Sequence, residues 1–116
     1  MILENLAEMQ VFIKPGITDM RKSIDGLAVL VQSSMQLNPL DKKLFLFTNK
    51  KHNLLKVLYW DKNGFWLFYK RLEKHKFPWL MSEEASRQIS EQELRWLLTG
   101  VNFFQAHSIL QYSRVG

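Results

Sequence analysis

Cysteine is absent from the 116-residue sequence, and glycine and proline are scarce, with five and three copies. The lack of cysteine excludes disulfide scaffolds, zinc ribbons, thiol nucleophiles and iron–sulfur clusters, and it favours an intracellular protein. No window approaches the roughly 18 uninterrupted apolar residues of a membrane span. Residues 1–6 also lack the basic and apolar regions of a signal peptide. We therefore expect a cytoplasmic protein that has no membrane partner.

Linkers and repeats are missing as well. The sequence contains no low-complexity tract, no internal repeat and no stretch rich in Pro, Gly or Ser that could separate two domains. A chain of this length buries about two-thirds of the surface that its unfolded form exposes, which is sufficient for a core of its own. We therefore expect residues 1–116 to form a single domain.

Motifs for nucleotide or metal chemistry do not occur. There is neither a Gly-x-x-x-x-Gly-Lys phosphate loop nor a Gly-x-Gly-x-x-Gly fingerprint. The three histidines, His52, His75 and His107, lack the spacing of metal ligands on one element. We expect no cofactor, no metal site and no catalytic residue.

Asp19, Asp25 and Asp61 are the carboxylates that could hold two metal ions for phosphodiester cleavage. On a helix, however, Asp19 and Asp25 would lie about 120° apart, and Asp61 falls in a turn. Ordinary roles fit them better: Asp19 at a helix N-terminus, Asp25 paired with Arg21, and Asp61 at the start of the turn. A metal-dependent nuclease is therefore the weakest interpretation.

Positive charge is concentrated in the middle third of the chain. Residues 41–76 contain ten Lys or Arg and three Asp or Glu, a net charge of +7, whereas the rest of the chain has a net charge of −2. Such asymmetry favours an anionic partner such as nucleic acid. A lysine-rich solvated surface is the alternative, and charge alone does not separate the two.

Apolar residues recur at helical spacing from Met20 to Met35 and predict one long helix. Thr18 is a suitable N-cap for this helix, and Asp19 suits its first turn. Alternating apolar positions at residues 9–13 predict a strand that ends before the helix begins.

Three apolar segments separated by polar turns follow the helix. The first is continuous, which is typical of a strand buried on both faces. A turn in which Asn63 and Gly64 can supply positive φ values joins the other two as a hairpin. The segments predict antiparallel strands at residues 44–47, 54–60 and 65–69. The predicted fold is α+β, with an antiparallel β-meander packed against one long α-helix and a short C-terminal helix.

The last third of the chain contains one clear helix signal. Ser90 and Glu93 form a capping-box pattern, and Gly100 suits the position after the helix. Residues 70–86, which are charged and then contain a proline, predict an edge strand or an irregular crossing. The tail, residues 101–116, is either a frayed helix or a segment that depends on a partner.

Aromatic side chains would occupy both faces of the predicted hairpin. Trp66 and Phe68 point away from the face of Phe65, Leu67 and Tyr69, because successive residues of a strand alternate. One helix cannot cover both faces. One aromatic face must therefore meet the second helix, a protein partner or nucleic acid.

The run PGITDMRKSIDGL at residues 15–27 resembles the N-terminal signature of the TnpB accessory proteins of insertion sequence 66 transposons. Further blocks resemble that family in the same order and at similar spacing, at residues 44–51, 56–65, 69–74 and 89–100. The resemblance covers roughly residues 9–102. It implies a small protein encoded beside the transposase that carries the catalytic carboxylates, and not the RNA-guided nuclease of the same name.

The resemblance further implies a role in transposition through binding of element DNA or of the transposase, with no catalytic residues to transfer. In a first hypothesis, a basic hairpin surface binds the DNA backbone. The candidate residues are Arg21, Lys22, Lys50, Lys51, Lys56, Lys70, Arg71, Lys74 and Lys76. In a second hypothesis, the protein is an adaptor that docks the transposase or associates with itself through the aromatic face around Trp66, and its charge serves only solubility.

Overall fold

The computed structural model describes residues 8–101 and 103, so most of the predicted tail at residues 101–116 lies outside the described residues. Five strands and two helices occur in the described part. In chain order they are β1 (Gln10–Ile13), α1 (Ile24–Ser33), β2 (Lys43–Thr48), β3 (Leu54–Asp61), β4 (Gly64–Arg71), β5 (Arg87–Ile89) and α2 (Glu91–Thr99). The predicted α+β class is confirmed.

The strands form one mixed sheet in the order β4-β3-β2-β1-β5. β2, β3 and β4 pair antiparallel in chain order, as the sequence predicts. β1, however, pairs parallel with β2, because α1 connects the two strands, and β5 adds antiparallel to β1. The antiparallel meander is therefore not confirmed for the sheet as a whole.

β2 lies at the centre of the core and is buried on both faces. Its residues 44–48 are all at most 4% exposed. Phe45 and Phe47 pack against Leu27 and Val31 of α1 on one face. Leu46 belongs to the cluster on the opposite face. The prediction that this apolar run is a strand covered on both faces is confirmed.

Two elements cover the face opposite α1. Leu94 and Leu97 of α2 pack there, together with Phe77 and Trp79 from the irregular crossing that joins β4 to β5. The indole Nε1 of Trp79 donates a hydrogen bond to the Lys14 carbonyl at 2.9 Å, which fixes the crossing to the end of β1. Of the hairpin aromatics, Tyr59 packs against this cluster, whereas Trp66 is 56% exposed.

α1 begins later and is shorter than predicted. It starts at Ile24 and has ten residues, so one long helix from Met20 to Met35 does not form. Thr18 is not its N-cap, because the Thr18 amide donates to the Thr48 carbonyl at 2.7 Å and ties this segment to the end of β2. Ser23 occupies the N-cap position, but its side chain makes no capping hydrogen bond in the described structure.

α2 agrees with its sequence signal. The Ser90 hydroxyl accepts from the Glu93 amide at 3.0 Å, and a Glu93 carboxylate oxygen accepts from the Ser90 amide at 2.9 Å. Gly100 adopts a left-handed conformation with φ of 84° immediately after the helix. Neither helix in the described part of the chain has the length and apolar character that crossing a bilayer requires.

Phe45→Ala and Leu46→Ala remove side chains from opposite faces of β2, so each should destabilise the protein by about 2–5 kcal/mol. Urea unfolding should show lower midpoints with unchanged slopes. Lys42→Ala, at an exposed position next to the strand, is the control and should change stability by less than about 0.5 kcal/mol. A near-wild-type midpoint for either core variant would contradict burial on both faces.

Ser90→Ala should cost about 1 kcal/mol of stability, because it removes the acceptor for the Glu93 amide. Ser23→Ala is the matched substitution at the N-cap of α1, where no such bond is lost, and should cost less than about 0.5 kcal/mol. Both values follow from thermal or urea unfolding. Equal losses of stability at the two positions would contradict the finding that a side-chain hydrogen bond caps α2 but not α1.

Candidate nucleic-acid interface

All nine predicted DNA-binding residues lie at one end of the sheet, which we call the basic end. β2 and β4 finish at this end and β3 begins there, as the pairing of Leu54 with Arg71 and of Thr48 with Leu55 demonstrates. The basic end comprises Arg21, Lys22, Lys50, Lys51, Lys56, Lys70, Arg71, Lys74 and Lys76. By contrast, Lys42 and Lys62 lie at the opposite end of the same strands.

Asn49 organises the turn between β2 and β3. Its side-chain Oδ1 accepts from the amides of Asn53 and Leu54 at 3.1 Å each, and its Nδ2 donates to Asn53 Oδ1 at 2.8 Å. Lys50 and Lys51 occupy the exposed part of this turn. Neither lysine side chain has an ion pair or hydrogen bond within residues 8–101 and 103. The turn therefore presents two ammonium groups that have no partner in the described part of the chain, on a fixed backbone.

The irregular crossing passes beside the same turn. The Phe77 amide donates to the His52 carbonyl at 2.6 Å, so Lys74 and Lys76, which precede Phe77, lie next to the turn. Burial and, to a smaller extent, the charge of Lys76 lower the pKa of His52. The lowered pKa favours the neutral imidazole at pH 7, so His52 adds little charge to the basic end.

Two lysines of the basic end are engaged in the fold. The partly buried Lys56 Nζ donates to the carbonyls of Met20 and Lys22 at 2.7 Å each, and these bonds fix the segment before α1. Lys70 Nζ donates at 3.1 Å to the carbonyl of Leu98, near the C-terminus of α2, where a cation is favourable. A DNA-binding role for these two residues stays a prediction.

Both arginines of the basic end form exposed ion pairs. Arg21 contacts Asp19 at 2.7 Å, and Arg71 contacts Glu73 at 2.9 Å. The hydrogen bond from the Arg21 side chain holds the pKa of Asp19 at about 2. Arg21 precedes α1 and pairs with Asp19. The predicted pair of Arg21 with Asp25 is therefore wrong. Exposed pairs contribute little stability, so both guanidinium groups can exchange their carboxylates for phosphate.

An open depression of about 640 Å³ lies beside the β2–β3 turn. It is bordered by the segment before α1, by the turn and by the end of β4. The residues that line it are Ile17, Thr18, Asp19, Met20, Asn49, Lys50, Lys51, Asn53, Leu54, Tyr69 and Arg71. Sequence reasoning missed Thr18, Asn49, Asn53 and Tyr69 as site residues, because only the packing of distant segments forms the depression.

The three carboxylates considered for metal binding are spread over the molecule. Asp19 borders the depression. Asp61 lies at the far end of β3, a strand about 23 Å long. Asp25 is on α1. In the part of the chain that the structure describes, no three His, Cys, Asp or Glu side chains gather in a way that could hold a metal ion.

An aromatic pair, the exposed Trp66 and the half-buried Phe68, lies on β4. The rings of Trp66 and Phe68 stack with centroids 6.2 Å apart and planes at 17°. Trp66 is 56% exposed, and its indole Nε1 donates to Asp61 Oδ2 at 3.2 Å. This bond orients the exposed side chain. The aromatic surface that the adaptor hypothesis requires is thus partly accessible.

Comparison with known proteins identifies relatives along the chain. A family profile described as IS66 Orf2-like protein matches residues 9–108. Two proteins of Sinorhizobium fredii (strain NBRC 101917 / NGR234) are similar. Uncharacterized protein y4hO is 38% identical over 108 residues, 93% of this chain and 94% of its own. Uncharacterized protein y4jC is 31% identical over 85 residues, 73% of each chain. No solved structure matches the chain.

The family match begins before β1 and extends past α2, so it includes the whole sheet, the basic end and the depression. It also confirms the family that the sequence blocks resemble. The chain therefore belongs to the family of IS66 Orf2-like proteins, which have an accessory role associated with transposition.

Proposed function

We propose that this protein is a non-catalytic accessory protein of DNA transposition that binds the DNA backbone through the basic end. The observation that carries the proposal is the gathering of nine basic residues, scattered between positions 21 and 76, at one end of the sheet. Lysine and arginine clusters of this kind bind phosphates without reading sequence. Element DNA would be the main partner, and the transposase of the same element a further one.

Five lysines are the strongest candidates for phosphate contacts. Their side chains are exposed and have no ion pair or hydrogen bond within the described residues. They are Lys22, Lys50, Lys51, Lys74 and Lys76. The two arginines would exchange exposed carboxylate partners for phosphate, in charge-assisted bidentate bonds. Lys56 and Lys70 would mainly hold the surface in place through their bonds to backbone carbonyls.

The proposal assigns no catalytic step to the protein. A two-metal nuclease clamps the phosphodiester between ions about 4 Å apart, which requires carboxylates at one place. Asp19 is bound to Arg21, and Asp61 lies at the other end of β3 and accepts a hydrogen bond from Trp66. The catalytic carboxylates would therefore be those of the transposase.

A protein-interaction adaptor is the second candidate function. The exposed Trp66, stacked on Phe68, is the type of residue that dominates binding energy at protein interfaces. In this case the transposase, or a second copy of the chain, would bind the β4 face that carries the pair. The positive charge would then serve only solubility.

Replacing Lys50 and Lys51 together with glutamate should weaken binding to every duplex sequence by a similar factor, because phosphate contacts carry no sequence information. Loss of two contacts should flatten the plot of log affinity against log salt by about 1.8 units, at about 0.9 per contact. Fluorescence anisotropy titrations of element-end and random duplexes at several salt concentrations measure both quantities.

The matched control is the double substitution Lys42→Glu and Lys62→Glu, which changes the net charge equally at the opposite end of the sheet. Its salt slope should stay close to that of the wild type. If all three proteins have the same slope, the basic end does not contact DNA. In that case, loss of transposase co-purification on Trp66→Ala would support the adaptor function instead.

A further inference from the structure

The depression beside the β2–β3 turn has one apolar side. Ile17 and Tyr69 contribute to it and are 45% and 56% exposed, and Met20 and Leu54 complete it. Tyr69 is opposite Lys56 on the sheet, outside the cluster that packs against α1. An exposed aromatic ring beside an open apolar recess is a platform on which a nucleobase can stack.

The other side of the depression is positively charged. Lys50, Lys51 and Arg71 border it. Asp19 is the acidic residue among the described lining residues, and its carboxylate already binds Arg21. An anion at this side would therefore meet a net positive charge, and the two lysine side chains have no competing carboxylate in the described chain.

Thr18 lines the depression and is almost completely buried. Thr18 is 7% exposed, and its Oγ1 is buried without a partner among residues 8–101 and 103. The amide of Thr18 donates to the Thr48 carbonyl at 2.7 Å, which fixes the position of the residue. A buried hydroxyl without a partner is destabilising and commonly marks a bound water or ion. A phosphate oxygen in the depression would satisfy it after a rotation of the side chain, because Oγ1 itself is buried.

From these three observations we propose that the depression holds one unpaired nucleotide of single-stranded DNA. The base stacks on Tyr69, and the phosphate binds Lys50, Lys51 and the Thr18 hydroxyl. The volume of about 640 Å³ is within the range of small-molecule sites. This inference rests on the proposed DNA-binding function, and it specifies the form of DNA that the depression accepts.

Other sources of phosphate match the site less well. Duplex DNA satisfies only the charged side, because its bases are stacked within the helix and cannot reach Tyr69. A free nucleotide satisfies both sides, but Lys22, Lys74 and Lys76 continue the positive surface beyond the depression. A positive track that extends past a stacking site is the arrangement by which proteins follow a single strand.

Anisotropy titrations of a labelled thymidine oligomer of about 12 nucleotides and of a duplex of equal length test the inference. Tyr69→Ala should weaken oligomer binding about 5- to 100-fold through loss of one stacked base, and duplex binding less than about twofold. Tyr69→Phe keeps the ring and should bind the oligomer like the wild type. Trp66→Ala, at an equally exposed aromatic residue outside the depression, is the matched control and should also bind like the wild type.

Thr18→Val tests the hydroxyl, since valine has nearly the same shape. The variant should be at least as stable in urea as the wild type, because it removes an unsatisfied buried group. It should nevertheless bind the oligomer about 2- to 10-fold more weakly. Weaker binding by a protein of equal or greater stability is not the result of a structural defect. Unchanged oligomer affinity would overturn the assignment of Thr18 as a phosphate ligand.

This inference and the proposed function fail in different ways. If Tyr69→Ala binds the oligomer like the wild type, or loses oligomer and duplex equally, the nucleotide site is refuted. Duplex binding that depends on Lys50 and Lys51 would still support the basic end in that case. If the wild type binds neither DNA, both proposals are refuted. If thymidine monophosphate binds as tightly as the oligomer, the proposal that the ligand is single-stranded DNA and not a free nucleotide is refuted.

Discussion

The burial of β2 on both faces is the constraint on which the rest of the structure depends. A strand of this kind needs a neighbour on each side and a cover on each face. β1 and β3 provide the neighbours, α1 covers one face, and α2 with the irregular crossing covers the other. Thr48 is the polar residue of the buried run, and its hydroxyl donates to the Leu54 carbonyl at 2.7 Å. The parallel pairing of β1 with β2 accompanies this arrangement, because α1 must lie between them in the chain.

Covering both faces confines the charged residues to the ends of the strands, and the two ends differ. The end that carries the β2–β3 turn collects the nine basic residues, and the crossing adds two of them as it passes. Repulsion among these charges is partly offset by the C-terminus of α2, since Lys70 donates to the Leu98 carbonyl there. Lys56 reaches the same end from within the sheet and donates to two carbonyls before α1. Two of the nine basic residues, Lys56 and Lys70, thus also hold the fold together.

Local signals in the sequence fail where a tertiary contact competes with them. Thr18 and Asp19 have the composition of a helix start, but the Thr18 amide is taken by the Thr48 carbonyl of β2, and the helix begins at Ile24. Asp19 then lies in a turn, where Arg21 is within reach at 2.7 Å and Asp25 loses its predicted partner. In the β3–β4 hairpin, the left-handed residue is Lys62, with φ of 56°, and not Asn63 or Gly64. Each difference is a local preference overridden by packing or strand register.

By itself, the sequence determined the α+β class, the three antiparallel strands, the capping box of α2, the two-sided burial of β2 and the identity of the basic residues. All of these follow from neighbouring residues, through periodicity, capping and charge. Only the tertiary structure decided the parallel pairing of β1 and the position of the nine basic residues at one end of the sheet. It also formed the depression that Thr18, Tyr69 and the β2–β3 turn line. These features depend on contacts between residues tens of positions apart, and no local pattern specifies which of the possible distant pairings the folded chain adopts.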